Sequence, residues 1–309
     1  MQRYLLNRII QSILVLFGVM CLVFFLLRVI GDPVAMWFSG RTQEIDPKTV
    51  EDFRKSMGFD QPLIVQFIKF LPDALRGDFG NSFRFKLPAT QMILERIPAT
   101  LKLASLSLFV SLIISIPLGV MAGVKPGGAI DAVARSLALL SQATPTYWLG
   151  LVLISVFAVE LRLLPSSGST TWRHYILPTA CLALSSMGGL IRLTRSSVLE
   201  VLQEDYVRTA VSKGLRENVI YFRHVLVNAA LPLVTVIGMS LGGLLGGALY
   251  IETIFAWPGM GRLVADAVGL RDFPIIQAMA FLTCLIVVTV TLLTDVVYTF
   301  VDPRIRYGD

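Results

Sequence analysis

Residues 9–30 read IIQSILVLFGVMCLVFFLLRVI, a run of 22 residues whose one charged side chain, Arg28, lies near its end. A helix of about 20 mostly apolar residues is long enough to cross the hydrocarbon core of a bilayer. A secretory signal peptide has a shorter apolar region and a small-residue cleavage site. Here the run continues into Arg28-Val-Ile-Gly-Asp-Pro33 instead. The sequence therefore predicts a retained membrane-spanning helix.

Five further apolar runs of similar length follow it, at residues 103–124, 137–159, 175–193, 231–252 and 275–301. The chain of 309 residues is 55% hydrophobic and 16% charged, whereas soluble domains carry roughly a quarter of charged residues. The boundary of the fourth run is less sharp, because Gly188 and Gly189 interrupt it and Arg192 ends it. We expect an all-α integral membrane protein with six transmembrane helices.

Lysine and arginine in short loops predict the orientation of these spans. With a cytoplasmic N-terminus, the cytoplasmic segments hold twelve of these residues and the two short external loops hold four. An excess of positive charge marks the cytoplasmic side. We therefore expect both termini in the cytoplasm, and an even number of spans agrees with placing them on the same side.

A long external segment, residues 31–98, separates the first two spans, and its acidic and basic residues nearly balance. Within it one set of apolar residues repeats at helical spacing, namely Leu63, Phe67, Phe70, Leu71, Ala74 and Leu75. The spacing predicts an amphipathic helix. It either covers a small core of its own or presents a face to a partner or to the outer ends of the spans.

Several classes of function lack the residues that they need. The sequence contains no G-x-x-x-x-G-K-[ST] loop for nucleotide phosphates, so we expect no cofactor and no ATP hydrolysis by this chain. The three cysteines lie in separate apolar runs and the chain has two histidines, which predicts no metal site and no catalytic site. The basic residues are not interleaved with stacking aromatics on a soluble fold, so nucleic acid is not an expected partner.

The longest cytoplasmic loop lies between the fourth and fifth spans. Leu199, Leu202, Tyr206 and Ala210 are spaced to share one face of a helix. Lys213 and then Gly214 predict its end, because glycine adopts the left-handed conformation without penalty and a cation suits the negative helix terminus. A second helical segment from Glu217 leads into Leu231-Pro232. This pair of short helices either docks a partner or only connects two spans.

This loop resembles the EAA loop of the inner-membrane subunits of bacterial ABC importers, through Ala210, Gly214 and Ala229-Ala-Leu-Pro232. Arg208 and Thr209 depart from that signature, and the variant is similar to that of the first permease subunit in the dipeptide/oligopeptide/nickel subfamily. Further similar motifs follow the chain in order: Gly31-Asp-Pro33, Met57-Gly-Phe-Asp-Gln-Pro-Leu63, Gly77-Asp-Phe-Gly80, Thr194-Arg-Ser-Ser197, the stretch from Glu252 to Gly261, Arg271-Asp-Phe-Pro274 and Asp302-Pro-Arg-Ile-Arg-Tyr307.

The resemblance implies an ABC type I importer permease fold with a periplasmic insertion between spans one and two. It divides the chain into 1–30, the external subdomain 31–98 and a five-helix core 99–309 with a coupling loop at 194–230. It also implies a heterodimer with a second permease subunit, two cytoplasmic ATPase subunits, an external substrate-binding protein and a bacterial inner-membrane location. The implied ATPase contact comprises Glu204, Asp205, Tyr206, Arg208, Thr209, Ala210, Lys213 and Gly214, with a lesser contact at 125–131.

The cargo implied by the resemblance is a di- or oligopeptide, or a related solute such as nickel, an opine or glutathione. Uncharged polar or small residues inside the spans are candidates for the translocation path: Gln142, Thr144, Ser185, Ser186, Gly242 and Gly246. The alternative is ordinary helix packing, since small residues four apart let helix backbones approach closely. Asp295 lies near a span end, where a structural bond is the simpler expectation.

Two other classes of membrane protein fit less well. A secondary transporter predicts a duplicated half and charged ion sites within the spans, and we find no convincing repeat. An intramembrane enzyme needs a converging nucleophile and base, and neither His174 nor His224 lies in a predicted span.

Overall fold

A computed structural model describes residues 2–38, 46–56 and 58–301, and the side chains at 239–247, 295–301 and a few other positions lie outside that description. The described part is helical, with one isolated β-bridge between Asn81 and Pro88. By their internal contacts the residues divide into two compact units. The first comprises residues 1–98 and 259–288, and the second comprises 99–258 and 289–309.

The first unit begins with the long helix α1 (Gln2–Ile30), which contains the predicted first span. Apolar side chains such as Ile13, Leu14 and Leu22 are more than half exposed along it. Exposed aliphatic residues on every turn of a helix are typical of a surface that faces lipid rather than water. Three short helices follow: α2 (Pro33–Phe38), α3 (Pro47–Ser56) and the predicted amphipathic helix, α4 (Leu63–Leu75).

The inner face of α4 packs on α1 through aromatic rings. The centroid of the Phe67 ring lies 5.2 Å from that of Phe24, and the Phe70 ring lies at the same distance from Phe24. Ala74 is fully buried, whereas Leu63 and Leu75 are 44% and 69% exposed. The helix predicted from the apolar spacing is confirmed, but its ends do not contribute to the core.

The rest of the first unit consists of α5 (Ala89–Leu94), α13 (Met260–Gly269) and the first part of α14 (Phe273–Val301). Asp272, which is only 1% exposed, connects the start of α14 to the loop before α5 through hydrogen bonds. Its carboxylate accepts hydrogen bonds from the Ser82 hydroxyl at 2.5 Å and from the backbone N–H of Phe83 at 3.0 Å. A buried carboxylate is stable only when it is bonded in this way. The Arg271-Asp-Phe-Pro274 motif therefore fixes the loop before α5.

The second unit is a bundle built from α6 (Ile97–Val124), α7 (Ala129–Ala143), α8 (Thr146–Leu153), α9 (Arg173–Leu202) and α12 (Leu226–Ile254). A π-helical turn, Ile154–Glu160, continues α8. Between α9 and α12 lie α10 (Asp205–Ser212), α11 (Glu217–Val219) and a second π-helical turn, Ile220–Val225, which runs into α12.

The predicted third span is not one straight helix, and this corrects the expectation for residues 137–159. Helix α7 ends at Ala143, Thr144 is extended with φ −91° and ψ 116°, and the axis turns by 100° before Thr146–Glu160. Pro145 is the physical cause, because its ring excludes the preceding residue from helical geometry and it has no N–H to donate. The proline therefore explains the break, but not the size of the bend.

Helix α9 continues to Leu202, beyond the predicted end of the fourth span at 193. Glycines on α6 bring the two helices together. A Cβ added at Gly119 would lie 2.6 Å from the Thr194 Cβ, and one added at Gly123 would lie 2.8 Å from the Val198 Cβ. Real Cβ contacts are longer, so the small residues permit the close backbone approach that is common in membrane helix pairs.

Four segments among the described residues are long and apolar enough to cross a membrane: Leu6–Ile30, Ala89–Val124, Arg173–Leu202 and Phe273–Thr294. The bent pair Ala129–Ala143 and Thr146–Glu160 makes a fifth when it is counted as one span. The predicted span at 231–252 lies within α12, many of whose side chains are outside the description. The count of six stays a prediction.

Candidate functional site

Helix α10 ends in a Schellman motif at the predicted glycine. Gly214 has a φ of +71°, and its N–H donates to the carbonyl of Val211 at 2.9 Å. The N–H of Leu215 reaches back to the carbonyl of Ala210 at 3.3 Å. These two bonds satisfy carbonyls that the helix end would otherwise leave free. A Cβ at Gly214 would meet no atom within 4 Å, so the glycine is required for its backbone conformation and not for space.

The buried face of α10 consists of Val207 and Ala210, which are 3% and 6% exposed. They pack in a cluster with Val198 of α9, Ile220 and Ala229. The predicted face through Leu199, Leu202, Tyr206 and Ala210 is right for Leu202 and Ala210, which both pack in this cluster. It is wrong for Tyr206, because the helix is interrupted at Gln203 and Glu204, and α10 starts anew at Asp205. The interruption rotates Tyr206 outward, where it is 41% exposed.

The opposite side of α10 is exposed, and we call it the α10 surface. It comprises Glu204, Asp205, Tyr206, Arg208, Thr209, Val211, Lys213 and Gly214. The predicted contact residues all lie on it except Ala210, which is buried. Arg208 lies 3.6 Å from Asp205 of its own helix, with both side chains largely exposed. Such a surface pair contributes at most about 1 kcal/mol, so Arg208 remains available to another acidic group.

Chemically neutral groups complete this surface. Val211 is 60% exposed. Partial burial, with a smaller contribution from Glu204, raises the pKa of the Tyr206 phenol. The α10 surface thus combines a tyrosine and an apolar side chain with charges of both signs, which is the composition of a docking face rather than of a reacting centre.

An ion pair that the sequence did not predict fixes the loop before α7 to α9. Asp131, at the start of α7, accepts from Arg195 Nε at 2.6 Å and from Arg195 Nη2 at 3.1 Å. The backbone N–H of Gly127 donates to the same carboxylate at 2.8 Å. Arg195 belongs to the Thr194-Arg-Ser-Ser197 motif and Asp131 to the predicted lesser contact at 125–131. The sequence did not show that these two residues, 64 positions apart, form an ion pair.

The candidate path residues divide into two groups. Gln142 is exposed at the end of α7 and accepts from Arg192 Nη1 at 2.6 Å, and Ser185 is exposed on α9. Ser186 instead donates to Ser111 Oγ at 3.0 Å, which favours helix packing for this residue.

Thr144 is half-buried in the extended link after α7. Gly242 and Gly246 belong to α12, but their surroundings lie outside the described part. The glycine one turn before them, Gly238, is in close contact with Thr294, since an added Cβ would overlap that side chain. This contact favours the packing alternative at the start of the glycine series.

The Glu252–Gly261 motif closes the end of the second unit around the start of α6. Thr100 Oγ1 donates to the fully buried Glu252 carboxylate at 2.6 Å. Trp257 donates from Nε1 to the carbonyl of Ala99 at 3.1 Å and meets Tyr175 edge-on at 4.6 Å. These contacts give the motif a structural role.

The C-terminal two thirds of the chain, residues 115–307, match the family described as "Binding-protein-dependent transport system inner membrane component". Residues 1–104 match the corresponding N-terminal family of membrane components. The chain belongs to this family. It is a multi-pass permease subunit of an ABC importer, not an enzyme, and the family implies a partner ATPase and a substrate-binding protein.

Named relatives align with this permease over their full length. It is 38% identical to the "Oligopeptide transport system permease protein AppB" of Bacillus subtilis, over 99% of this chain and 100% of that protein. It is 40% identical to the "Glutathione transport system permease protein GsiC" of Pectobacterium atrosepticum, again over 99% and 100%. The expected subfamily is thereby confirmed.

Solved structures share the fold of this permease at low identity. An inward-facing MetNI methionine ABC transporter matches with a TM-score of 0.57 at 17% identity, over 69% of the permease and 97% of that chain. An amino acid ABC transporter matches with a TM-score of 0.52 at 16% identity, over 70% and 94%. These matches confirm an importer permease fold and give no information about the cargo of this permease.

Proposed function

We propose that the permease forms half of a translocation path for di- or oligopeptides or glutathione. The relatives' cargo supports this, because both proteins align with the permease over their whole length. The second half would come from a similar permease subunit, giving a heterodimer. Two ATPase subunits would lie in the cytoplasm and the binding protein outside, with both termini of the permease cytoplasmic in the inner membrane.

The α10 surface carries this proposal, as the docking site of an ATPase subunit. A rigid helix transmits displacement where a flexible loop would yield, and α10 is rigid at both ends. Val207 and Ala210 anchor it to α9 and α12, and the Schellman bonds at Gly214 fix the corner that follows. No contact within the described chain explains why α10 exposes an apolar side chain, that of Val211, to water.

Movement of α10 would reach the path through α9. The two helices are separated by only Gln203 and Glu204, and Arg195 lies two turns before the end of α9. The bidentate bond from Arg195 to Asp131 then connects α9 to the first turn of α7. A displacement at the α10 surface is thus passed through packed helices and one ion pair to the broken third span.

The break at Thr144 and Pro145 supports a path at this point. Non-helical backbone within the membrane is tolerated only where protein buries it or water reaches it. Gln142 and Pro145 are exposed in the single subunit, and Ser185 and Arg192 of α9 are exposed as well. In the proposed heterodimer this polar strip faces the second permease subunit across a water-filled path.

Co-purification of the ATPase subunits with the permease tests the docking proposal. Val211→Asp places a charge in the centre of the α10 surface, and we expect at least a tenfold loss of ATPase association and no peptide uptake. Leu87→Asp is the matched control, since Leu87 is 52% exposed in the other unit. It should leave association unchanged. Full ATPase association by Val211→Asp, at equal permease levels, would remove the α10 surface as the docking site.

A further inference from the structure

Helix α4 has an apolar face that the rest of the first unit does not cover. Ile64, Ile68 and Leu75 are separated by four and seven positions, so they lie on one side of the helix. Their exposed fractions are 67%, 61% and 69%. We call these three residues the α4 face. A helix on a water-facing subdomain turns its polar residues outward instead, so this face calls for an apolar environment.

The charged residues of α4 lie on another side of the helix. At 3.6 residues per turn, Lys69 and Asp73 are at least about 100° away from every member of the α4 face. Both border a cavity of about 400 Å³, together with Gln66 of the same helix and Arg28 of α1. Gln66 Oε1 accepts a hydrogen bond from Arg28 Nε at 3.2 Å. The polar side of α4 is thus directed to this cavity, and the α4 face contains no charge that needs water.

The third side of α4 packs on α1 within the apolar run of the first span. The Phe67 ring centroid lies 6.2 Å from that of Phe17 and 5.2 Å from that of Phe24. These two residues precede Ile30, where α1 ends, by 13 and 6 positions. At 1.5 Å per residue the contacts lie about 20 and 9 Å from that end of the helix.

These distances place α4 at the level of the lipid. The apolar segment Leu6–Ile30 has 25 residues and is therefore about 38 Å long. It exceeds the hydrocarbon core, about 30 Å thick, by about 8 Å. Even if the whole excess projects at the Ile30 end, both ring contacts remain within the core. Phe17 is itself 46% exposed, so the lipid-facing surface of α1 extends to its contact with α4.

We infer that the α4 face is embedded among the acyl chains of the bilayer. Amphipathic helices bind membranes in this way, with the apolar face about 5–10 Å into the boundary between headgroups and chains. A protein partner is less well suited to this face, because protein interfaces combine apolar contacts with hydrogen bonds and the α4 face offers no polar side chain. The segment between the first two spans is therefore bound to lipid through α4, and only part of it faces water.

Spin labels in the complete importer, reconstituted in bilayer nanodiscs, test this inference. Single cysteines replace Ile64 or Ile68 in a background without native cysteines. Each label reports its collision rates with oxygen, which concentrates among acyl chains, and with a nickel chelate, which stays in water. We expect the oxygen-to-chelate ratio at 64 and 68 to exceed that of Asp52→Cys, on the polar helix α3, at least fivefold. Leu22→Cys, at a residue 64% exposed within the first span, is the matched lipid control and should give a similarly high ratio.

Each result decides the inference. A ratio at 64 and 68 as low as that at 52 would show that water covers the α4 face, and would overturn it. Low collision rates with both reagents would also overturn it, because a protein such as the second permease subunit or the binding protein would then cover the face. Uptake equal to that of the unlabelled importer shows that a labelled variant is folded, and the two positions are read independently.

Discussion

Arg195 holds the carboxylate of Asp131 with two hydrogen bonds, of 2.6 and 3.1 Å, although the Asp131 side chain is only 1% exposed. The Arg195 side chain is 25% exposed. The two partners therefore differ in their access to water. A third charge, Arg135, is 3.6 Å away but 59% exposed, and contributes little.

This asymmetry predicts unequal costs for removing either partner. Arg195→Met removes the nearest counter-ion of a carboxylate that has little access to water, and should lower the thermal midpoint of the permease the most. Asp131→Asn leaves an arginine that can still reach water and should lower it about half as much. Arg135→Gln should be close to neutral. Thermal unfolding of the purified variants in detergent measures the order, and a larger cost for Asp131→Asn than for Arg195→Met would contradict this account of the pair.

The sequence predicted those parts of the fold that depend on local chemistry. The apolar spacing from Leu63 to Leu75 was sufficient for α4, because a helix buries every third or fourth residue. Gly214 was predictable because few residues other than glycine adopt its φ of +71°. The break before Pro145 has an equally local cause, because proline excludes the preceding residue from helical geometry. The 100° bend was not predictable, since neighbouring helices determine where the chain continues.

Contacts between residues far apart in the chain could not be predicted from the sequence. Tyr206 was wrongly placed on the buried face of α10, because Val207 packs in the cluster with Val198 and Ile220, and neither neighbour is visible from the spacing around Tyr206. The pairing of Asp131 with Arg195 joins different helices. In the candidate path, spacing identified polar residues in the spans but did not separate exposed Ser185 from Ser186, which bonds to Ser111.

The proposed path predicts which cysteines a water-soluble thiol reagent reaches. In the assembled importer without native cysteines, cysteines at Gln142 and Ser185 should react, because both positions lie on the exposed polar strip. Ile113 is 56% exposed on α6 and apolar, so a cysteine there should face lipid and stay unlabelled by a charged methanethiosulfonate. Labelling at 113 with none at 142 or 185 would place the path elsewhere.

The orientation of the permease predicts a second labelling pattern. Asn81, Ser167 and Lys213 are all exposed, so burial does not decide their reactivity. In intact cells, an impermeant thiol reagent should label single cysteines at 81 and 167. A cysteine at 213 should react only after lysis. Labelling of 213 in intact cells would reverse the predicted topology.

The central claim is that the α10 surface couples the permease to its ATPase. A substitution at Gly214 tests this claim most directly. No atom lies within 4 Å of a Cβ added there, so a substitution acts through the left-handed backbone alone. Valine should cost at least about 1 kcal/mol in that conformation and displace the corner after α10. Asparagine tolerates left-handed geometry much better and serves as the matched control.

Peptide uptake by proteoliposomes that contain the complete importer is therefore the most direct measurement. At matched permease levels, Gly214→Asn should retain most of the uptake, whereas Gly214→Val should lose at least nine tenths of it together with stable ATPase association. Normal uptake by Gly214→Val would contradict the account, because the loop between α9 and α12 would then be only a connection between two spans.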